Sequence, residues 1–113
     1  MYTQLFSQLS LANSGPVTQV SQAVAMRNNN AAQANYVIFA LTGTGVTFQL
    51  EGSNDLENWT ELGSPDGSTA IGAGLLGVVA GIGAAFVRLR ATVEGSGRAI
   101  VSAGINTSFQ SQP

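Results

Sequence analysis

The residues of this chain that are suited to chemistry are its carboxylates, because the sequence contains six Asp and Glu residues, no His and no Cys. Without imidazole or thiolate groups, catalysis by those nucleophiles and the usual zinc sites are excluded. Glu51, Glu57 and Glu61 are close in sequence, and two carboxylates at a suitable separation can hydrolyse a glycosidic bond. A chain of 113 residues leaves little surface to enclose a sugar once its core is formed. We therefore predict no catalytic residues and no enzyme activity.

Carboxylates in a loop are also the ligands that calcium prefers. The residues concerned are Glu51, Asp55, Glu57 and Asp66, and their spacing lacks the regular alternation of acidic residues found in a calcium-binding loop. We interpret them as a solvated turn, and we predict no metal and no cofactor.

Cationic residues are equally sparse, with four Arg, no Lys and a formal net charge of −2. Polyanion binding needs many cationic contacts, so we predict no nucleic-acid partner. Arg88 and Arg90 share one face of a predicted strand, and two interpretations remain open. Either they pair with carboxylates across strands or across a subunit boundary, or they form a solvent-facing edge that resists stray pairing. The carboxylates concerned are Glu51, Glu61 and Glu94.

Short β-strands are the elements that would position these side chains. Residues 46–51 alternate strictly between apolar and polar types. This pattern is typical of a strand with one face in a core and the other in water. The inward residues are then Val46, Phe48 and Leu50, and the outward residues are Thr47, Gln49 and Glu51.

Further strands are separated by turns rich in Gly, Asn, Asp and Ser. Residues 36–41 are β-branched and aromatic, residues 59–62 resume the alternation, and residues 63–68 have the composition of a wide loop. Residues 87–93 and 99–105 alternate on either side of a Gly-rich turn, and we predict that they form a hairpin.

These segments predict an all-β fold, an antiparallel β-sandwich of the jelly-roll or discoidin-like type with about seven or eight short strands. The length indicates one domain, which we place at residues 16–113. In residues 1–15, Leu5 and Leu9 are four apart, which permits one short helical turn beside Phe6, whereas strand alternation fits this segment poorly. We expect an N-terminal arm there, which leads into the first strand or packs on a neighbour.

The segment 70–87 has no charged or strongly polar side chain and is just long enough for a membrane-spanning helix. Its five glycines disfavour a helix in water. We therefore predict two short buried strands joined by a Gly-rich turn, and a membrane partner is not expected. Because the segment is apolar on both faces of such a strand, both faces must be covered. The residues concerned are Leu75, Leu76, Val78 and Val79.

Residues 51–60, Glu-Gly-Ser-Asn-Asp-Leu-Glu-Asn-Trp-Thr, form the most specific motif of the chain. We predict a hairpin in which Asn54 and Asp55 turn their short side chains onto nearby amides. Trp59 is expected to enter the core at the start of the returning strand. The residues predicted to anchor the fold are Trp59, Asn54, Asp55, Phe48, Val87 and Leu89.

This hairpin, followed downstream by the sequence Phe-Val-Arg-Leu-Arg at 86–90, resembles the discoidin-like (coagulation factor type C-like) sandwiches. It is still more similar to the small β-sandwich proteins of tailed-bacteriophage virions. The resemblance covers about residues 46–93 and implies a sandwich that is part of a virus particle. Leu56 stands where the pattern usually has glycine, and the bracketing cysteines and exposed aromatic residues of discoidin domains are absent. These departures argue against carbohydrate or lipid binding.

We expect a non-enzymatic structural subunit of a virus particle, located in the capsid, on its surface or in the tail, that binds copies of itself or a shell or tail protein. Low charge suits such interfaces, since only 9% of the residues are charged. Residues 1–6 lack the basic and apolar regions of a signal peptide, so assembly in the host cytoplasm is expected. The candidate interface residues are Leu75, Leu76, Val78, Val79, Arg88, Arg90, Leu5, Phe6 and Leu9.

Two other functions remain open. The first is a discoidin-like module that binds a glycan or a host surface through loops at 43–45, 53–58 and 64–68. The second is a membrane-inserted viral protein that uses residues 70–87 as a helix.

Overall fold

A computed structural model describes residues 2–12, 18–42, 45–94 and 97–109 of the chain. These residues form nine β-strands and contain no helix, which confirms the all-β class. The strands are β1 (Tyr2–Ala12), β2 (Thr18–Val20), β3 (Val24–Ala25), β4 (Ala31–Thr42), β5 (Gly45–Ser53), β6 (Thr60–Ser68), β7 (Gly72–Leu75), β8 (Phe86–Glu94) and β9 (Arg98–Ser108).

The strands form two antiparallel sheets, and the predicted sandwich is confirmed. The first sheet has the order β1-β9-β4-β7, and the second has the order β2-β8-β5-β6, with β3 also pairing with β8. The topology is that of one long two-stranded ribbon folded back on itself. Within the ribbon the strand pairs are β1/β9, β2/β8, β4/β7 and β5/β6. The pairs β9/β4 and β8/β5 then join the two halves of each sheet. This is the strand order of a jelly roll.

The core lies between the two sheets and is built by the inward residues of each strand. The three apolar residues of β5 that the alternation placed inward are all buried, at 0–2% exposure. Tyr36 of the first sheet stacks on Phe48 of the second, with ring centroids 4.4 Å apart. Val87 and Leu89 of β8 are fully buried, as expected of residues that anchor the fold.

The predicted hairpin of residues 87–93 and 99–105 is wrong, although both strands exist. β8 pairs with β2, β3 and β5 in the second sheet, whereas β9 pairs with β1 and β4 in the first. Alternation shows only that each strand has one buried face. In a sandwich, two successive strands have this pattern both when they pair in one sheet and when they face each other across the core. β8 and β9 follow each other in the sequence but lie in different sheets.

The expected N-terminal arm is a strand of the sandwich over residues 2–12. β1 pairs antiparallel with β9 through two irregular steps, between Gln4 and Phe6 and between Phe6 and Leu9. Phe6 is buried, and Leu5 and Leu9 pack against the core. The irregular steps explain why strand alternation fits this segment poorly, and the possible helical turn is not formed. Residues 1 and 13–15 of the expected arm lie outside the described residues.

The apolar segment 70–87 is neither a helix nor two buried strands. It contributes the four-residue strand β7 at the edge of the first sheet, one isolated bridge between Ala32 and Val79, and the first residues of β8. Gly72 and Gly81 have positive φ angles of 144° and 69°, which interrupt a regular strand. No helix long and apolar enough to cross a membrane occurs in the described part of the chain.

Candidate functional site

The turn between β5 and β6 is held by the carboxylate of Asp55. Its Oδ1 atom accepts hydrogen bonds from the backbone N–H groups of Glu57 (2.9 Å) and Asn58 (2.8 Å) and from the Ser53 hydroxyl (3.0 Å). Its Oδ2 atom accepts a bond from the Asn58 side chain at 2.7 Å. The backbone bond from Asn58, followed by the one from Glu57, holds the pKa of Asp55 well below its ordinary value. The predicted side-chain turn is therefore present at Asp55.

Asn54 connects the same turn to another part of the chain, and Leu56 gives the turn an unusual backbone conformation. The Asn54 Oδ1 atom accepts a hydrogen bond from the backbone N–H of Ala85 at 2.9 Å, which ties the turn to the residues just before β8. Leu56 has a φ angle of +65°, in the left-handed region that favours glycine. The position where the sequence pattern usually has glycine is thus one that requires this backbone conformation.

Trp59 lies outside the core, so its predicted burial is wrong. The ring is half-buried on the outer face of the second sheet, where the Arg88 guanidinium lies 4.0 Å from its centroid. The indole Nε1 donates a hydrogen bond to the Leu56 carbonyl at 3.3 Å. The alternation of side chains along a strand predicts this outward position of Trp59. Leu62 packs inward, so Glu61 and Trp59, one and three residues before it, both face outward.

Arg88 and Arg90 pair with carboxylates within the chain. Arg88 Nε donates to Glu51 Oε1 at 2.8 Å, and Arg90 donates through one amine to Glu51 Oε2 and through the other to Glu61 Oε2, both at 2.9 Å. Glu51 and Glu61 are direct cross-strand partners, an arrangement that repels by itself. Arg90 binds both carboxylates and so cancels this repulsion. The structure shows pairing across strands, as one of the open interpretations held.

Two of the three residues expected to face water from β5 are buried. Glu51 is 5% exposed beneath the two arginines, and Gln49 is buried beside an irregularity of β6. The Gln49 Nε2 atom donates to the carbonyls of Leu50, Leu62 and Gly63 at 2.9–3.3 Å. The predicted wide loop at 63–68 is wrong because these residues continue β6 after a register shift opposite Gln49. Gly63 enables the shift with a φ angle of +71°.

The outer face of the first sheet contrasts with this ionic network. The four strands of that sheet contain one charged residue, Arg98, and the other described strands contain Glu51, Glu61, Asp66, Arg88, Arg90 and Glu94. On three adjacent strands the exposed side carries apolar groups, with Leu75 at 62%, Phe39 at 49% and Ile100 at 39% exposure. We call this surface the neutral face: Val37, Phe39, Ala40, Ala73, Leu75, Ile100 and Ser102.

The candidate interface residues fall into three groups. Leu75 and Val78 are exposed. Leu76 and Phe6 are buried in the core of the chain itself, and Leu5, Leu9 and Val79 pack against that core. The remaining pair is Arg88 and Arg90, bound within the chain as described.

Phe39 and Ile100 are exposed apolar residues that the sequence analysis did not single out. Both stand in predicted strands, at 36–41 and 99–105, between apolar neighbours in the sequence, so the signal was a strand with apolar residues on both faces. The topology then places Ile100 beside Ala40 and close to Phe39.

In the described ranges no group of three carboxylates is close enough to hold a metal ion. Comparison of the sequence with models of known protein families and with curated proteins finds no match.

Proposed function

We propose that the protein is a non-enzymatic structural subunit of a virus particle and that it assembles with copies of itself through the neutral face. The observation that carries this proposal is the unequal distribution of charge between the two sheets. A sandwich that is free in solution has polar residues on the outer faces of both sheets. Here the charged residues of the described strands lie in the second sheet, with the exception of Arg98, while the first exposes Phe39, Leu75 and Ile100. Contiguous exposed apolar groups of this kind mark interaction surfaces.

The fold is compatible with this role but does not select it. Jelly rolls occur in viral capsid proteins and also in lectins and cupins, and a fold alone does not specify a function. The assignment to a bacteriophage particle rests on the resemblance of the hairpin at 51–60 to virion sandwich proteins. It is consistent with a capsid-decorating, minor capsid or tail-associated position.

The proposed mechanism is symmetric association without any chemical step. Burying the exposed half of one large apolar side chain contributes about 1 kcal/mol. Three such residues per protomer do not by themselves offset the entropy lost on association. Repetition of the contact by symmetry adds to the stability of the whole assembly.

The test is the mass of the native protein in solution, measured by light scattering and sedimentation. Ile100→Asp places a charge on the neutral face, directly beside Ala40. Val20→Asp is the matched control, because Val20 is an exposed apolar residue (43%) on a strand of the second sheet. We expect a native mass that is a multiple of 11.6 kDa, loss of that assembly in Ile100→Asp with an unchanged β-type circular dichroism spectrum, and retention in Val20→Asp. A monomeric native protein, or equal assembly of both variants, contradicts the proposal.

A second candidate function, glycan binding, is favoured by the exposure of Trp59. Glycan sites use aromatic rings as platforms, and this ring is half-buried rather than enclosed in the core. Leu56, half exposed, lies beside it in the same turn. A glycan-array signal that is lost in Trp59→Ala and retained in Val20→Asp supports this candidate, and an array without a reproducible signal opposes it.

A further inference from the structure

Strand β1 differs from the other edge strands of the sandwich. It is eleven residues long, Tyr-Thr-Gln-Leu-Phe-Ser-Gln-Leu-Ser-Leu-Ala, and contains no charged residue and no proline. In the described part of the chain it pairs with β9 alone. Alternate residues of an antiparallel edge strand direct their N–H and C=O groups away from the sheet. β1 therefore presents a long row of backbone groups that can accept another strand.

The other edges carry features that prevent such pairing. β7 has four residues, β2 has three and β3 has two. β6 is long, but it carries Glu61, Pro65 and Asp66 and has a register shift at its middle. Charges, proline, irregularity and short length are the means by which natural sheets block edge-to-edge association. Of these means, β1 has only the two irregular steps near its centre.

We propose that β1 pairs antiparallel with β1 of a second copy across a two-fold axis. The first sheets of the two copies have four strands each, so the pairing joins them into one continuous sheet of eight strands. This inference deepens the proposed function by naming a second contact of the subunit. A rotation about an axis normal to the sheet keeps both neutral faces on the same side of the dimer, with the outer faces of the two β1 strands between them.

The sequence of β1 fits this symmetry when Ser7, the central residue, lies on the axis. Gln4 of one copy is then opposite Ser10 of the other, and both side chains are exposed. Thr3 is opposite Leu11, and both are paired with inward-facing residues of β9. At these positions exposed residues meet exposed residues and inward residues meet inward residues, as a shared face requires.

The irregular steps of β1 support the same register. They fall between Gln4 and Leu9, so the two ends of the strand, 2–4 and 9–12, are regular. The two-fold axis at Ser7 pairs the regular beginning of one strand with the regular end of the other. A copy of the same chain thus fits this edge without any charged group on either side, and the contact closes as a dimer because it is isologous.

The first test places a lysine on the proposed axis. Ser7→Lys brings two like charges together at the centre of the pair, and Ser64→Lys makes the same change at an exposed position of β6. In light scattering, we expect Ser7→Lys to lower the association constant at least tenfold and Ser64→Lys to leave it unchanged. The inference is overturned if the native protein is a monomer. This includes a monomer whose β1 edge binds a strand of a different protein but not a second copy of this chain. So does a Ser7→Lys protein that associates as the native protein does.

The second test does not depend on weakening the fold. The chain has no cysteine, so Ser7→Cys can form a disulfide only between two molecules. Residues opposite each other in antiparallel strands have Cβ atoms close enough for this bond. Mild oxidation is expected to convert most of Ser7→Cys, and little of the control Ser64→Cys, into covalent dimer. Equal rates of cross-linking in the two variants overturn the inference.

The two proposals fail in different ways. If only the edge contact exists, Ile100→Asp leaves the dimer intact and no larger assembly is found in the native protein. If only the neutral face is used, Ile100→Asp gives monomers and Ser7→Lys has no effect on mass.

Discussion

Replacing Glu51 by Gln tests the ionic network of the second sheet. The variant keeps the size of the side chain but removes the charge, and it turns one acceptor of the two arginine bonds into a donor. Glu51 is 5% exposed, whereas the arginine side chains retain 22% and 33% exposure. Breaking a fully buried ion pair costs about 3–5 kcal/mol. Because both arginines reach water, we expect a smaller loss, about 2 kcal/mol, as for hydrogen bonds to charged groups.

The assay is thermal and denaturant unfolding at equal protomer concentrations, since association shifts apparent stability. In a domain of this size, about 2 kcal/mol corresponds to a decrease in Tm of about 8 °C. Glu61→Gln is the matched control, because Glu61 binds the same Arg90 from a side chain that is 60% exposed. An exposed pair contributes about 0–1 kcal/mol. Equal losses in the two variants would refute the assignment of Glu51 as the buried centre of the network.

Three further predictions concern the turn and the core. The pKa of Asp55 is lower in the folded protein than its value of 3.8 in the unfolded chain. The carboxylate therefore stabilises the fold above pH 3.8, and this contribution is lost as the pH falls toward the folded pKa. Asp55→Asn should be less stable than the native protein at neutral pH, and equilibrium unfolding at about pH 2 should show a smaller difference between the two. Leu56→Gly should raise the free energy of unfolding by about 1 kcal/mol, because it removes a left-handed φ from a side-chain-bearing residue; a lower Tm opposes this reasoning. Phe48→Ala should cost about 3–5 kcal/mol, and Trp59→Ala should cost clearly less in the same unfolding assay, because Trp59 lies on the outer face; equal costs would place Trp59 in the core.

The fold class was accessible from the sequence because alternation is a local property. The inward residues of β5 and the turn held by Asp55 follow from period and residue type alone. The burial of Trp59 was mispredicted although the same period gives the answer, since residues 59 and 62 cannot share a face of one strand. Composition misled at 63–68, where Gly63 and Pro65 indicate a loop but belong to an irregular edge strand.

Strand partners and the neutral face were not accessible in this way. The alternation of β8 and β9 identifies a buried face for each strand and leaves their partners undetermined, so the jelly-roll crossing replaced the expected hairpin. The charge asymmetry depends on the same topology. The uncharged segments 2–12, 31–42 and 72–75 are far apart in sequence, and only strand pairing brings them into one sheet.

Protection of the neutral face in the native assembly tests the central claim most directly. Side chains exposed to solvent can be labelled with a photoactivated carbene and located by mass spectrometry in the native protein and in Ile100→Asp. We predict that Phe39 and Leu75 are protected in the native assembly and become labelled in the variant, while Val20 on the second sheet is labelled equally in both. Equal labelling of Phe39 and Leu75 in the two proteins would contradict the account.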